Sequence, residues 1–578
     1  MERRGFIRHS ARLKCFAWFV LCTVPTSLAL AQAPPPGNAS QELLRQQERE
    51  RILRQQQETR PDVHLERPVA AKPGRLPEAE SPCFRIDRIT LSGDAAERFQ
   101  WALRAADPGE DPATGRCLGD AGINLTMKRI QNAIIARGYV TTRVLAAPQD
   151  LKSGTLALTL IPGRIRAIRF ADGTSPRGTM WNAMPAAPGD ILNLRDIEQG
   201  LENFKRLPTA DADIQITPAD GPDAKPGESD LVIAWAQGTP LRLNVSVDDS
   251  GSKHTGKYQG SVTVSYDSWL TLNDLFYVSF NHDLGGGYSG ERGTRGHTVH
   301  YEVPYGYWLL GFTTSRYKYY QAVAGLNQTY IYSGTNENNE VRLSRLFYRD
   351  AVRKGSAYTR LWQRKSSNFV DDTEVLVQRR SMAGWEIGLT YRQFINTATL
   401  DANVAYRKGT GMLSSLSAPE EAFGEGTSRP SVVTSGVQLT VPFTLASQRM
   451  RYVTTWRGQW NHTPLVALDR FSIGGRHTVR GFDGENTLTG DNGWLTRNDL
   501  GVALGGSGQE LYAGADYGQV GGQSTKYLAG NHLAGAVVGL RGGVKGLYWD
   551  VFVGTPLYKP KGFRTSSTAA GFNLSWSY

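Results

Sequence analysis

Nowhere in its 578 residues does the sequence hold the ~20 consecutive apolar residues that a membrane-crossing helix needs; its longest such run, 15–24, is half that length. A bundle of transmembrane helices is therefore excluded. Cysteine is scarce, four in all with none spaced as CxxC, so zinc ribbons and dithiol redox chemistry have no support. Nine histidines are scattered without partner carboxylates, and neither a GxSxG elbow nor a P-loop occurs. Residues 285–290 spell GxGxxG, but no helical pattern follows, so they read as a loop. His297 and His300, three apart in a strand-like stretch, fall on opposite faces and form no metal pair. The sequence thus predicts no catalytic set, no metal and no cofactor. Neither charge sign dominates, with 65 basic against 54 acidic residues, and a chain 40% hydrophobic and 10% aromatic is not disordered.

What is present is unevenly distributed. Arg3, Arg4, Arg8, Arg12 and Lys14 precede the apolar core 15–22, and Ala29 and Ala31 supply small residues at a cleavage site. This is the layout of a secretory signal over residues 1–31. Its removal leaves 60 basic against 53 acidic residues, so part of the basicity is an export address rather than a nucleic-acid surface. Cys15 and Cys22 would leave with it. The remaining Cys83 and Cys117, in an exported chain, suggest one disulfide, the alternative being two unrelated thiols.

Of 24 tyrosines only Tyr139 lies before residue 241, and 45 of 63 glycines lie after residue 240. Two physically different parts meet near that point. Ahead of it, residues 32–39 read as non-helical. From Ser40, as N-cap, a strong helix former runs to residue 59 with few apolar residues: Leu43, Leu44, Ile52 and Leu53. A helix this polar is either solvated or held in a water-filled cavity with polar walls. Five prolines make 61–82 an extended linker. Two β-α-β-β units follow, 83–163 and 164–238. The first places a strand at 84–93, a helix at 124–137 and strands at 139–145 and 155–161. The second places a strand at 164–170, a helix striped by Leu194, Ile197, Leu201 and Phe204, and strands at 213–217 and 231–235.

After residue 240 a period of two dominates. Leu241, Leu243, Val245 and Val247 alternate with polar residues, as do Val262, Val264 and Tyr266, and Val437, Leu439, Val441 and Phe443. Strands of ~8–10 residues with one greasy and one polar face suit a transmembrane barrel. At ~20 residues per strand and connection, this region holds about 16 strands, enough to enclose an aqueous lumen. A soluble sandwich or β-helix is the competing reading. Against it stand Phe572, Leu574, Trp576 and Tyr578, which alternate up to the last residue. That pattern resembles the terminal strand of bacterial outer-membrane proteins, whose final aromatic is recognised by the barrel-assembly machinery.

Two short motifs narrow the family. Val479-Arg480-Gly481-Phe482 and Gly514-Ala515-Asp516-Tyr517-Gly518 resemble the sixth-loop tip and its wall partner in the Omp85 superfamily. The resemblance implies that Arg480 pairs with Asp516 inside the lumen, Gly481 allowing the tip to turn. The tandem α+β units resemble polypeptide-transport-associated (POTRA) domains. With the polar N-terminal helix, the whole mature chain is similar to the transporter half of two-partner secretion systems. That likeness implies two α+β POTRA domains, a 16-stranded antiparallel transmembrane β-barrel over 239–578 and a helix at 32–60 that plugs it. The implied location is the outer membrane with the POTRA domains in the periplasm. Implied partners are outer-membrane lipid, a large exoprotein with an N-terminal secretion domain and, during biogenesis, the assembly machinery and periplasmic chaperones. A barrel-assembly insertase is the alternative within the superfamily.

Overall fold

The computed structural model of the protein describes residues 37–58, 61–65 and 74–578. The expected export signal at 1–31 lies outside these residues. The first element, helix α1, spans Gly37–Gln57, which at 1.5 Å per residue is about 31 Å long. It begins three residues ahead of Ser40, so Ser40 sits within the helix and does not cap it. The expectation that 32–39 is non-helical fails for its last three residues. Once past Pro36 nothing prevents helical dihedrals, and Ala39 is a strong helix former.

In the first α+β unit, strand Thr155–Ile161 is central, parallel to Arg88–Gly93 and antiparallel to Arg143–Leu145. Helix α2, Asp120–Ala136, buries Ile130 and Ile134 in the same core as Leu156, Leu158 and Leu160. The expected strand at 139–145 is thus shorter, and a 3-10 helix, Ala96–Ala105, was not foreseen. A small ribbon of Phe84–Ile86 and Arg116–Leu118 brings Cys83 and Cys117 together, and they are joined as a disulfide with Cα atoms 5.3 Å apart. Closing a loop of this length contributes about 3–4 kcal/mol in the chain-entropy model. The double variant Cys83→Ser/Cys117→Ser should therefore become protease-sensitive in this unit while the barrel stays resistant. Equal protease resistance of variant and parent would refute this.

The second unit repeats the topology with Glu228–Gln237 central, between Arg164–Phe170 and Ala210–Pro218. Helix α3, Leu194–Lys205, is capped by Asn193, whose side chain accepts from the Arg195 N–H at 2.9 Å. Its stripe Ile197, Leu201 and Phe204 packs with Leu231, Ile233 and Trp235, and it ends ahead of Pro208 as the pattern requires.

Sixteen long antiparallel strands, from Leu241–Asp248 to Ala569–Ser577, then close into a barrel. Closure pairs the first strand with the last over five residues, Asn573↔Asp248 to Ser577↔Asn244. Alternation decides which face is which. Along Trp308–Ala324, Leu310 and Phe312 are exposed outside while Thr313, Ser315, Tyr317 and Tyr319 are buried inside. Further along the same outer face Arg316 and Lys318 appear, so the apolar band ends there and the strand continues into water. In the last strand Leu574 and Trp576 face outward, and the terminal Tyr578 pairs with Leu243 through its backbone.

The second unit docks on one rim of the barrel, the end where residue 241 enters the wall. The Asn203 amide donates to Gly306 O at 2.8 Å, Arg206 pairs with Glu302, and Tyr307 donates to Asp196. Burial raises the Asp196 carboxyl above its usual range, against the lowering effect of the Tyr307 hydrogen bond.

Candidate functional site: the barrel lumen

Helix α1 threads the barrel. Near its start Glu42 accepts from the Thr255 hydroxyl at 3.0 Å, at the end of the barrel far from the α+β units. Midway, Glu48 pairs with Arg457 at 2.7 Å and Glu50 accepts from Ser315 at 3.3 Å. One turn on, Arg54 is paired with Glu340 and with Glu50. At its last residue Gln57 accepts from the Ser265 hydroxyl at 3.2 Å, near the docking rim. The sequence left open whether this helix is solvated or lies in a polar cavity, and the structure places it in the cavity.

Its four apolar residues have different roles. Leu43 is buried against Tyr319, while Leu53 meets Leu207, Leu275 and Tyr277 at the exit. Leu44 and Ile52 are only partly buried, and Leu44 borders a cavity of about 460 Å³. Polar contacts therefore outnumber apolar ones along the helix. The wall carries the matching charges: Arg360 bridges Glu340 at 3.2 Å and Glu386 at 2.5 Å.

The loop 462–491, between strands Gln448–Asn461 and Asn492–Ala503, folds back into the lumen. At its tip the Arg480 guanidinium donates to both oxygens of Asp516, at 2.7 Å each, and to Asp499 at 2.5 Å. The Arg480 backbone N–H adds a bond to Asp516 at 2.9 Å. Arg480 is 4% exposed and Asp516 3%, so the fork is shielded from water, and removing either partner would leave the other as a buried, poorly compensated charge. Val479 and Phe482 insert on either side into an apolar cluster with Ile473, Leu495, Leu533 and Phe563.

Glycines make room for the tip. Gly481 has φ +91°, a left-handed conformation, and a Cβ there would lie 2.4 Å from Thr555 O. Opposite it, a Cβ on Gly535 would strike Arg480 O at 1.9 Å, and one on Gly518 would strike Val479 at 2.8 Å. Gly514 likewise leaves space for the guanidinium, at 2.7 Å. The motif residues Val479, Arg480, Gly481, Phe482, Gly514, Asp516 and Gly518 thus meet in one place. Sequence reasoning missed Asp499 and Gly535; both are inward-facing residues of neighbouring strands, outside either motif.

A second anchor was also missed. Asp469, 3% exposed at the base of the loop, pairs with Arg364 and with Arg407 of the strands Arg353–Val370 and Ala398–Thr410, each at 2.9 Å. The loop therefore spans the lumen between two ionic contacts. It also touches α1: Arg45 donates to Gly484 O at 2.5 Å and Gln47 to Leu468 O at 3.4 Å. Asp469→Asn should loosen the loop base without loss of the tip contact. Its expected signature is increased protease cleavage within 462–478 but an unchanged environment at a probe near residue 482; an unaltered cleavage pattern would count against this anchor.

A closed sixteen-stranded barrel, two α+β units at one rim and a loop locked inside the lumen define an outer-membrane transporter of the POTRA-barrel class. Known proteins agree. The haemolysin secretion/activation protein ShlB/FhaC/HecB model matches residues 227–542, and POTRA models match 84–163 and 164–218. The outer membrane transporter CdiB-2 of Burkholderia pseudomallei (strain 1026b) is 39% identical over 569 residues, covering 94% of this chain and 96% of that protein. The haemolysin transporter protein HpmB of Proteus mirabilis is 26% identical over 67% of this chain and 68% of its own. Among solved structures, CdiB from Acinetobacter baumannii superposes with a TM-score of 0.83 at 30% identity, covering 94% of this chain and 99% of that one. The chain belongs to the haemolysin secretion/activation (ShlB/FhaC/HecB) family of two-partner secretion transporters. It is an outer-membrane protein whose POTRA domains face the periplasm.

Proposed function

We propose that α1 is a removable plug and that the Arg480–Asp516 fork locks the sixth loop in the conducting path of a protein-secretion pore. The division that goes with this reading is signal 1–31, plug 32–60, linker 61–82, POTRA domains 83–163 and 164–238, and barrel 239–578. The cargo is a large exoprotein whose N-terminal secretion domain arrives unfolded in the periplasm. Open sheet edges, notably Ala210–Pro218, offer main-chain hydrogen bonds to such a segment without demanding particular side chains. Phe572, Leu574, Trp576 and Tyr578 serve as the insertion signal for the assembly machinery, to which periplasmic chaperones deliver the chain. The chemistry is transport.

The observation that carries this reading is that α1 fills the lumen through polar contacts at both ends, so it can leave without exposing a greasy surface. A tether tests it. With Gln57→Cys and Ser265→Cys facing each other, oxidation should bond helix to wall and stop secretion, and reductant should restore it. Either single-cysteine variant should secrete under both conditions. Undiminished secretion by the bonded form would end the plug reading.

A further inference from the structure

The helix leaves the lumen beside the inner face of strand Arg292–Tyr305. His300 and Glu302, two residues apart, share that inner face and are 4% and 7% exposed, whereas His297 is exposed on the outside. Glu58, just beyond α1, comes to meet them. One ligand atom from each of Glu58, His300 and Glu302 lies within 4.8 Å of the other two.

The imidazole is fixed in place by two contacts. Its Nδ1 is 2.8 Å from the Thr313 hydroxyl, and the ring stacks on Tyr277 with centroids 4.8 Å apart. Its Nε2 is buried and makes no hydrogen bond in the protein, yet it faces Glu58 Oε1 at 3.8 Å. That is too long for a hydrogen bond. It is near the ~3.4 Å between two donors that each sit ~2.1 Å from a tetrahedral ion.

We propose that Glu58, His300 and Glu302 bind a divalent transition-metal ion, with zinc the best match to one imidazole and two carboxylates. The site would join the periplasmic end of α1 to the barrel wall. Arg206, beside α3 in the second α+β unit, is paired with Glu302 and competes for that carboxylate. Metal affinity is therefore set in part by how closely this unit docks on the rim. Binding stands on the three ligands alone; its consequence, a metal that holds the helix in place, rests on the plug reading.

The test uses the purified full chain in detergent, stripped with EDTA and titrated with zinc chloride, with magnesium chloride as control. One zinc per chain is expected, and magnesium should be silent. His300→Gln should weaken binding by at least about tenfold, and so should Glu58→Gln, which lies outside the wall and leaves barrel folding untouched. Arg206→Gln should tighten it. In planar bilayers, zinc on the periplasmic side should make openings rarer in the parent but not in Glu58→Gln. Absence of saturable zinc binding, or binding that neither ligand variant weakens, overturns the site. Zinc that binds but leaves the openings unaltered overturns the idea that the metal holds the helix in place. If zinc binds the parent chain but removal of residues 34–60, which takes Glu58 with it, leaves conductance unaltered, it is the plug reading that fails.

Discussion

Arg480→Ala should abolish secretion of the exoprotein while the barrel remains folded in the outer membrane at normal abundance. The substitution removes three guanidinium hydrogen bonds, two to Asp516 and one to Asp499, and leaves Asp516 buried with its loop N–H and a distant Arg497 at 3.8 Å. Breaking a buried pair from one side costs roughly 3–5 kcal/mol, enough to release a loop tip. The wall itself does not depend on this contact, because its strands are held by their own backbone ladders. Arg480→Lys should fail to rescue secretion, since an ammonium cannot donate in parallel to both oxygens of Asp516. The measurements are heat-modifiable mobility of the barrel in membrane fractions and the amount of exoprotein in the medium. Loss of the barrel in step with secretion would mean that the pair serves folding only.

Deleting residues 34–60 should convert a nearly silent channel into one with large, steady conductance in planar bilayers. A helix with its side chains is about 10 Å across, and here it occupies the lumen along its length, from Thr255 at one end to Ser265 at the other. The loop would remain, since its anchors at Asp516 and Asp469 do not involve the helix. Conductance should therefore rise without becoming that of an empty barrel. A further rise is expected on adding Arg480→Ala to the deletion. Unchanged conductance in the deletion would refute the assignment of α1.

Much of this architecture could be read from residues because alternation is a local property. Val262 and Val264 announce an outward face, and Ile197, Leu201 and Phe204 a helix that stops before Pro208, whatever else surrounds them. The tip–wall fork was also legible, since both halves lie in short motifs. Other contacts join residues without any shared pattern. Asp469 and its partners Arg364 and Arg407 are about 60–105 residues apart, and only barrel closure makes them neighbours. Gly535 resembles any strand glycine until Arg480 O is seen against it. The start of α1 was misjudged because proline dominates the preceding residues, although it constrains them only as far as Pro36. His297 and His300 do fall on opposite faces, as their spacing predicts, but the approach of Glu58, just beyond α1, to His300 and Glu302 has no signature in the spacing.

The polar seat of α1 has a thermal consequence. Heat capacity rises with the apolar area exposed and falls with the polar area exposed, and here withdrawal would uncover only Leu43, Leu44, Ile52 and Leu53 as large apolar side chains on the helix, among many polar ones. Unplugging should therefore carry a heat-capacity change far smaller than that of uncovering an apolar core of the same area. Temperature would barely bend the equilibrium between plugged and open pores, whereas added salt, by weakening pairs such as Glu48–Arg457, would shift it directly. If α1 is the plug proposed above, such a gate would keep its setting through warming and cooling and answer instead to ions and to the arriving chain.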